Sequence, residues 1–527
     1  MKLIRKTILL SALALSFAGV NGLAQARDLT VALRTEPSSM DPLFHSLTPN
    51  IQMSETIFDP LVRTDANAKP IPALAESWTV DGNVWLFKLR PNVKFSDGSP
   101  FTADDVVFTY ARVPKVPNSP SSFSLFLSSI AKVEAVDSLT LKITTKGPSP
   151  VLLANLSQVS IMSKKAASGS APEGKTTVEL NRGEGLVGTG PYKFVSWKRG
   201  DEIVLARNDH YWGKKPAWDK VIYRPISNPA ARVAALLAGD VDLVEDPPTD
   251  DLPRLAKNKA LTVQETPSLR VIYLAMNQSK EVPPGMTGTN GKNALQDKRV
   301  REALSLALDR KAIVARIMGG VAKPAANLLA YPGFGASKKL SEVPASDPVK
   351  AKKLLTEAGY PNGFSISLGS PAGRYTNDKN IAQAAAAMWA RIGVKTDVQT
   401  MAPPVFFKQR DTYAFSTYLG GWAVTSGEML NPLNALVVTP NKELGLGTTN
   451  RSHYSNPELD KVVLQASKTL DDGKRSELLQ KAGNMAMEDY AILPVHFELS
   501  VWAMKKDVHY AGRADQMTLA QDMTPAK

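Results

Sequence analysis

"NRGEGLVGTGPYKFVSWKRGDEIVLARNDHYWG", residues 181–213, decides which fold this chain can adopt. Its first three glycines have the G-x-G-x-x-G spacing of a dinucleotide-binding loop: Gly183, Gly185 and Gly188. Such a loop needs a strand before the first glycine and a helix after the last, because the helix amino terminus holds the pyrophosphate. Here polar residues come first, and Pro191 precedes alternating apolar residues that predict a hairpin with Gly200 near its tip. The glycines therefore indicate a turn, and the sequence does not predict a dinucleotide-binding fold.

The amino terminus has the three parts of a secretory signal peptide. "MKLIRK" is basic, residues 7–20 form a short apolar run, and Ala24 and Ala26 occupy the −3 and −1 positions. We predict cleavage before Arg27 rather than an uncleaved membrane anchor, because the apolar run is too short to span a bilayer comfortably. The chain contains no cysteine, so neither disulfides nor a lipid-modified cysteine are expected. These features predict a periplasmic protein that is not lipid-anchored.

The charge of the chain is strongly basic, with a formal net charge of +13. The cations are dispersed as pairs, such as Lys164–Lys165 and Lys505–Lys506, and they form no arginine-rich stripe. Proteins that bind nucleic acid usually concentrate their cations on one face or along one helix. We therefore expect a solvated basic surface and no nucleic-acid partner.

The order of strand and helix signals predicts an α/β protein in two halves. Up to about residue 275 most of the signals are strands, and from there to about residue 490 most are helices. The tail contains one more strand, "AILPVHFELSVWAMK" at 491–505, which could return to the first half. A chain that crosses twice between two halves forms a two-segment hinge, which we predict near 270–280 and 488–498.

Capping residues mark several helix starts. Thr102 and Asp105 form a capping box before "ADDVVFTYAR". Ser455 and Glu458 are predicted to cap the helix in "NPELDKVVLQAS", and Asp297 leads into the helical stretch "KRVREALSLALDRKAIVARIMGG".

Several long blocks, in order, resemble the large solute-binding proteins of peptide-type ABC importers, the family of dipeptide-, oligopeptide-, nickel- and glutathione-binding proteins. The most specific block is "PALAESWTVDGNVWLFKLRPNVKFSDGSPFTADDVVFTYAR" at 72–112. The others are "VGTGPYKFVSWKRGDEIVLARNDHYWG" at 187–213, "RVAALLAGDVDLVEDPP" at 232–248, "KRVREALSLALDRKAIV" at 298–314, "HYSNPELDKVV" at 453–463 and the tail strand. Together these blocks cover nearly the whole chain after the signal peptide.

The resemblance implies a two-lobed periplasmic binding protein fold that closes on its ligand. Its expected parts are the signal peptide at 1–26, lobe I at 27–275 with an inserted subdomain at about 72–182, lobe II at 276–490, and a return to lobe I at 491–527. The resemblance also implies a protein that delivers its cargo to an inner-membrane ABC permease, and we expect a monomer.

Motifs for catalysis are missing from the sequence. No G-x-S-x-G, H-E-x-x-H or phosphate-binding loop occurs, and "GTNGKN" at 288–293 lacks the spacing of the last. The five histidines include no close pair: His45, His210, His453, His496 and His509. We therefore predict no enzymatic activity, no cofactor and no metal site.

The loop "YLGGWAVTSGEMLNP" at 418–432 occupies the family's position for ligand contact. In relatives that bind free amino termini, an aspartate three residues after the tryptophan pairs with the ammonium. Here that position is Thr425, and a hydroxyl cannot neutralise a buried cation. The resemblance is closer to the glutathione-binding branch, in which Ser426 and Glu428 would contribute, with Glu428 supplying the negative charge or else supporting the loop. Trp422, beside Gly420 and Gly421, is expected to offer the ligand a rigid face, with core packing as the alternative.

Two further loops complete the expected site. "GSPAGRYTNDKN" places Arg374 and Tyr375 between a strand and a helix, at the position where the arginine of dipeptide-binding relatives grips the ligand carboxylate. A guanidinium suits that role because it forms two parallel hydrogen bonds with a carboxylate. An exposed cation capping the loop is the alternative. In "RTEPSSMDPLFHS", the weaker candidates of lobe I are Ser39, Asp41 and His45, although Asp41 could simply cap the turn at Pro42.

These expectations define one leading function and several alternatives. The leading function is a substrate-binding component of an ABC importer for a peptide-like or amino-acid-conjugate solute with a carboxylate, such as a short peptide, glutathione or an opine. A sugar or sugar-phosphate conjugate held by Arg374 is the first alternative. Nickel or haem is a third possibility, for which the sequence offers few ligands. A secreted hydrolase or holdase is the alternative from another class.

Overall fold

The computed structural model describes residues 28–66, 69–169, 174–424, 426–441 and 446–526. The predicted signal peptide and its cleavage site lie outside these residues. Within the described ranges, none of the helices combines the length and the apolar composition that crossing a bilayer requires.

The strands carry the predicted α/β character through both halves of the chain. In chain order they are β1 (Asp28–Leu33), β2 (Val62–Thr64), β3 (Pro70–Pro72), β4 (Ala75–Asp81), β5 (Val84–Leu89), β6 (Ile130–Asp137), β7 (Thr140–Thr145), β8 (Tyr192–Lys198), β9 (Glu202–Arg207), β10 (Lys220–Pro225), β11 (Leu243–Glu245), β12 (Leu261–Met276), β13 (Ala322–Pro324), β14 (Phe364–Pro371), β15 (Val394–Met401), β16 (Thr417–Ala423), β17 (Leu493–Lys505), β18 (Val508–His509) and β19 (Thr524–Pro525).

The longer helices lie mainly in the second half. The α-helices are α1 (Thr48–Ile57), α2 (Ala103–Arg112), α3 (Ser124–Leu127), α4 (Leu152–Leu156), α5 (Lys164–Ala167), α6 (Thr177–Asn181), α7 (Pro229–Ala238), α8 (Leu252–Lys257), α9 (Lys298–Ala307), α10 (Arg310–Ala312), α11 (Pro348–Glu357), α12 (Asp378–Ala390), α13 (Pro403–Asp411), α14 (Leu430–Pro432), α15 (Pro457–Ala466) and α16 (Asp472–Glu488). Short 3₁₀ turns lie at Val113–Lys115, Thr249–Asp251, Ala294–Gln296, Lys339–Ser341 and Ala520–Asp522, and π turns at Ile313–Ile317 and Leu433–Val437.

One large sheet runs through both lobes, in the order β15-β14-β16-β12-β17-β11-β1-β10-β9-β8, with β13 also paired to β17. The lobe I end consists of β1 and β8–β11, and the lobe II end of β14–β16. Between them β12 and β17 pair with each other in antiparallel fashion. The far part of β12 pairs with β16 of lobe II, whereas the far part of β17 pairs with β11 of lobe I. Two neighbouring strands therefore connect the lobes, at the positions where the sequence predicts a two-segment hinge.

A second sheet of four strands, in the order β4-β5-β7-β6, lies in the first half. It falls inside the predicted subdomain, although the subdomain boundaries at 72 and 182 stay a prediction. Its buried face includes Trp85, Phe87 and Leu141, and these side chains belong to the same apolar cluster as the strands of lobe I. The subdomain thus shares one core with lobe I.

The glycine-rich stretch at 181–190 is a turn, as the sequence predicts. It leads into the antiparallel hairpin of β8 and β9, and no helix follows it. A Cβ at Gly188 would collide with the backbone carbonyl of Ile57 at the end of α1, so close packing of two backbones explains this glycine.

Local signals place most helix starts correctly. The capping box of Thr102 and Asp105 is present at α2. Two expectations need correction. Asn456, not Ser455, caps α15 with its side chain. The stretch after Asp297 is not continuous either, because α9 ends at Ala307 and Asp309 caps a new helical segment whose last turns have π geometry.

Candidate functional site

Side chains from both lobes line a pocket beside the connecting strand β17, and most of its polar lining is charged. Lobe I contributes Arg34 after β1 and Glu245 and Asp246 at the end of β11. Lobe II contributes Thr376, from the loop after β14, and the connecting strand β17 contributes Glu498. A pocket between lobes, lined by loops and strand ends, is where binding proteins hold small ligands.

The loop that presents Arg374 is fixed by one buried carboxylate. Asp378, at the start of α12, accepts hydrogen bonds from the backbone N–H groups of Gly373 (3.1 Å), Arg374 (2.8 Å) and Tyr375 (3.1 Å). The side chain of Asp378 is only 3% exposed. Because the carboxylate satisfies three donors and the helix amino terminus favours its charge, the loop backbone has one defined conformation.

The guanidinium of Arg374 is half-buried and forms no ion pair with the described residues. It lies 5.2 Å from the centre of the Tyr375 ring. A second guanidinium, that of Arg270 on β12, lies 5.9 Å from the centre of the same ring. A ligand contact by Arg374 stays a prediction, and Arg270 is a cationic neighbour that the sequence did not reveal.

Arg270 is buried in contact with Glu498 and Gln516. Its Nε lies 3.4 Å from the Glu498 carboxylate and donates a hydrogen bond of 2.8 Å to the Gln516 side chain. Burial lowers the pKa of Arg270 to about 10, the carboxylate of Glu498 opposes this shift, and repulsion from Arg374 adds to it. No local pattern reveals this group, because Glu498 and Gln516 lie more than two hundred residues further along the chain.

Four cations and four anions lie in this region. The cations are Arg34, Arg232, Arg270 and Arg374, and the anions are Glu245, Asp246, Asp378 and Glu498. Arg34 pairs with Asp246 at 3.3 Å, and Arg270 pairs with Glu498. Arg232 donates to the backbone carbonyls of residues 226, 227, 245 and 246. Arg374 differs from the other three because it has neither an acidic partner nor a side-chain hydrogen bond among the described residues, which makes it the natural contact for an anionic ligand group.

Tyr375 is packed rather than open to the pocket. It is 7% exposed, and its hydroxyl donates a hydrogen bond of 3.2 Å to the carbonyl of Gly421. A Cβ at Gly421 would collide with the Tyr375 ring, and a Cβ at Gly420 would collide with the ring of Tyr273. Tyrosines of the protein itself therefore occupy the space beside both glycines.

The side chain of Trp422 points away from the face of β16 against which the Tyr375 ring packs. Successive side chains of a strand point to opposite faces, and the partly buried indole packs against the apolar cluster of Val271 and Met429. Its Nε1–H donates a hydrogen bond of 2.7 Å to the Asn431 side chain. Core packing, the alternative considered for this residue, thus describes its contacts, and a ligand contact by Trp422 stays a prediction.

The rest of the same loop is only partly described. Thr425 lies outside the described residues. The hydroxyl of Ser426 is buried and has no hydrogen-bond partner among the described atoms. A ligand contact by either residue stays a prediction.

Glu428 is paired within lobe II. Its carboxylate accepts a hydrogen bond of 2.7 Å from Arg475 on α16, and both side chains are nearly buried. Burial raises the pKa of Glu428, whereas the nearby Arg475 opposes the rise. The guanidinium of Arg475 also lies 4.2 Å from the centre of the Phe334 ring. These contacts support the loop-stabilising alternative. The other carboxylate oxygen, Oε1, has no hydrogen-bond partner among the described atoms, and a contact between Glu428 and a ligand ammonium stays a prediction.

The lobe I candidates are also committed to contacts within that lobe. Asp41 is buried and forms a bidentate ion pair with Arg112, with distances of 2.9 and 2.7 Å. It accepts two further hydrogen bonds, from the backbone of Leu43 and the hydroxyl of Thr177, so its oxygens are satisfied. This gives Asp41 a structural role that includes the predicted turn cap, and the ligand contact expected of it has no support in this geometry.

Ser39 and His45 flank the same turn. The Ser39 hydroxyl, buried, donates to Asn181 at 2.8 Å. His45 is half-buried, its Nδ1 lies 2.9 Å from the Ser38 hydroxyl, and burial lowers its pKa. Their contacts with a ligand stay a prediction. No group of three or more acidic or histidine side chains suited to a metal occurs in the described part of the chain.

Two lobes that share a pair of connecting strands and enclose a charged pocket define a protein that binds a small ligand between its lobes. The chain belongs to the bacterial extracellular solute-binding proteins, family 5, whose family model (family 5 Middle) matches residues 69–443. The family predicted from the sequence is thereby confirmed, as is the two-lobed α/β fold.

Curated and solved relatives agree with this assignment. The glutathione-binding protein GsiB of Escherichia coli (strain K12) is 29% identical over 491 residues, covering 92% of this chain and 91% of the relative. The ABC transporter-associated periplasmic binding protein DppA from Helicobacter pylori, in complex with the peptide STSA, matches with a TM-score of 0.77 and 25% identity over 95% of this chain and 99% of that one. The binding protein AgaA from A. tumefaciens R10, in complex with agropinic acid, matches with a TM-score of 0.76, 25% identity and the same coverages. These relatives are substrate-binding proteins of transport systems.

Proposed function

We propose that this chain captures a peptide-like or amino-acid-conjugate solute with at least one carboxylate and delivers it to an inner-membrane ABC permease. The proposal includes a periplasmic monomer that begins at Arg27 after signal cleavage, carries no lipid anchor and turns over no substrate.

The unpaired guanidinium of Arg374 carries this proposal. Asp378 fixes the backbone on which Arg374 stands, and the guanidinium of Arg374 has no ion-pair partner among the described residues. A carboxylate can accept two parallel hydrogen bonds from such a guanidinium and balance its charge. Glutathione, a peptide and agropinic acid, which the relatives bind, favour the same chemical class for this chain.

The replacement of the family's aspartate by Thr425 narrows the proposal. An ammonium at that position would be left without a counterion, because Glu428 is already engaged by Arg475. A simple dipeptide held by its free amino terminus at this loop is therefore not the favoured ligand.

Substitution of Arg374 tests the proposal. The solute that co-purifies with the native protein is identified by mass spectrometry, and its affinity is measured by titration calorimetry, with glutathione as a defined probe. Arg374→Ala should weaken binding by tens- to thousands-fold, about 2–5 kcal/mol, because it strands the carboxylate in a closed cleft. Arg374→Lys should restore only part of the affinity, since a point charge cannot form the parallel hydrogen bonds.

Arg391, an exposed arginine at the end of α12, provides the matched control. Arg391→Ala removes the same charge from the same lobe and should leave the affinity unchanged. An Arg374→Ala protein that binds the native carboxylate solute as tightly as the wild type would overturn the proposal.

A further inference from the structure

Arg270 differs from the other buried arginines of the protein. Seven arginines in the described ranges are at most 6% exposed: Arg112, Arg232, Arg270, Arg301, Arg310, Arg475 and Arg513. In six of them, at least two guanidinium nitrogens donate hydrogen bonds to carboxylates, hydroxyls or backbone carbonyls. Arg270 donates from its Nε alone. Burying a donor without an acceptor is costly, so this exception requires an explanation.

The two terminal nitrogens of Arg270 are unpartnered but not sealed off. Buried side-chain atoms without a partner include the Nε of Arg475 and the hydroxyl of Ser500, whereas neither terminal nitrogen of Arg270 is among them. The terminal nitrogens therefore border open space. Glu498 and Gln516, the partners of Arg270, line the pocket between the lobes, so Arg270 lies directly beside this pocket.

The position of Arg270 complements that of Arg374. Both guanidinium groups lie within 6 Å of the centre of the Tyr375 ring, and each has donors to spare. Arg270 is held by Gln516, which follows the return of the chain to lobe I, whereas Arg374 stands on a loop of lobe II. One carboxylate occupies the parallel donors of a single guanidinium, so two such arginines suit two carboxylates.

We propose that Arg270 binds a second carboxylate of the solute, so that the ligand is a dicarboxylate held by Arg270 and Arg374. This inference rests on the proposed function and narrows its substrate class. It assigns to Arg270 the discrimination between a ligand with one carboxylate and a ligand with two.

Two N-acetylated dipeptides that differ in one group test this inference, because acetylation removes the ammonium that would lack a counterion. Acetylated Ala-Glu, called Ala-Glu below, carries two carboxylates, and acetylated Ala-Gln, called Ala-Gln below, replaces the side-chain carboxylate by an amide of the same shape. Titration calorimetry with the wild type should show at least tenfold tighter binding of Ala-Glu. Equal affinities would overturn the inference and leave the proposed function intact.

Two variants remove the positive charge of Arg270, one with and one without its partner Glu498. Arg270→Met leaves Glu498 buried without its partner and could impair folding, so the double variant Arg270→Met/Glu498→Gln removes both charges together. The double variant should bind the two dipeptides equally, whereas Arg374→Ala should weaken both. A retained preference for Ala-Glu in the double variant would refute the role of Arg270. Failure of the wild type to bind either dipeptide would overturn both the peptide-like ligand class and this inference.

Discussion

At the scale of single residues, the contact between Gly421 and Tyr375 determines how the ligand loop packs. The ring of Tyr375 fills the space that a side chain at Gly421 would need, and its hydroxyl bonds to the carbonyl of the same residue. Arg374, which precedes this tyrosine, therefore depends on a glycine of the neighbouring strand for its position.

Gly421→Ala should destabilise the protein by about 1–3 kcal/mol, because the added methyl group overpacks a filled contact. Ligand affinity should fall as well, since the ring can yield only by moving the loop of Arg374. Urea unfolding followed by circular dichroism measures the first effect and calorimetry the second. Gly473→Ala, in the first turn of α16 where the nearest atom lies at 3.4 Å, is the control and should not reduce the stability. Equal stabilities of the two variants would contradict this account.

At the scale of elements, the loop between β14 and α12 is organised by Asp378. Asp378→Ala deprives three backbone donors of their acceptor, so we expect a loss of about 1–3 kcal/mol in the free energy of unfolding and a clear loss of ligand affinity. Asp397→Ala, which removes an exposed carboxylate at β15, should change neither quantity. Wild-type affinity in Asp378→Ala would show that the loop holds its conformation without the carboxylate.

The connecting strand β17 contains a histidine with an unusual environment. His496 is fully buried, neither ring nitrogen has a partner, and burial lowers its pKa to about 3. Above about pH 6.5 the imidazole is neutral in the folded and the unfolded chain, so its protonation does not change the free energy of unfolding there. Between about pH 6.5 and 3 only the unfolded chain takes up the proton. The free energy of unfolding therefore decreases by about 1.4 kcal/mol for each pH unit by which the pH falls in this range.

His496→Leu should therefore flatten the decline of the unfolding free energy between pH 6.5 and 4, as measured by urea titration at each pH. His509→Leu, at an exposed histidine of β18, should leave the slope as it is in the wild type. If the unfolding free energy of His496→Leu falls with pH as steeply as that of the wild type, another group causes the pH dependence.

The elements themselves were largely predictable from the sequence, because capping residues, turn glycines and alternation are local signals. The site was predictable only in part. Arg374 follows a recognisable strand and precedes a capped helix, so its place could be predicted from neighbouring residues. The role of Arg270 could not be predicted, since it depends on Glu498 and Gln516, which only the tertiary fold brings close to it. The resemblance predicts Asp41 and Glu428 as ligand contacts, and no local pattern reveals their buried arginine partners, which lie 71 and 47 residues further along the chain.

At the scale of the whole molecule, the loop after β14 forms two side-chain hydrogen bonds with the segment that follows β11 in the other lobe. The hydroxyl of Thr376 donates to Asp246 at 3.4 Å, and the Asn377 side chain donates to the hydroxyl of Thr249 at 3.2 Å. Thr376 and Asn377 belong to the loop of Arg374, whereas their partners follow β11 of lobe I. The loop that presents Arg374 is thus also the loop that touches the opposite lobe.

A saturating ligand should reduce the radius of gyration measured by X-ray scattering, because it binds the closed arrangement more tightly than the open one. At a hundred times its dissociation constant it should add about 2.7 kcal/mol of stability. The double variant Thr376→Val/Asn377→Ala should be less compact before ligand is added. Thr356→Val, on the exposed side of α11, should scatter like the wild type. Scattering that does not change with ligand would refute closure.

The place of β17 in the sheet has a consequence for the order in which the protein is assembled. This strand lies between β11 and β12, yet it follows both of them in the sequence and is therefore synthesised after them. The core of lobe II includes Leu493 and Val495 of this strand, so lobe II cannot complete its packing before the strand arrives. The sheet has an open gap between β11 and β12 until residues 493–505 are present. A nascent chain that is interrupted before this point would expose two unpaired strand edges, and we expect such fragments to require chaperones or to be degraded.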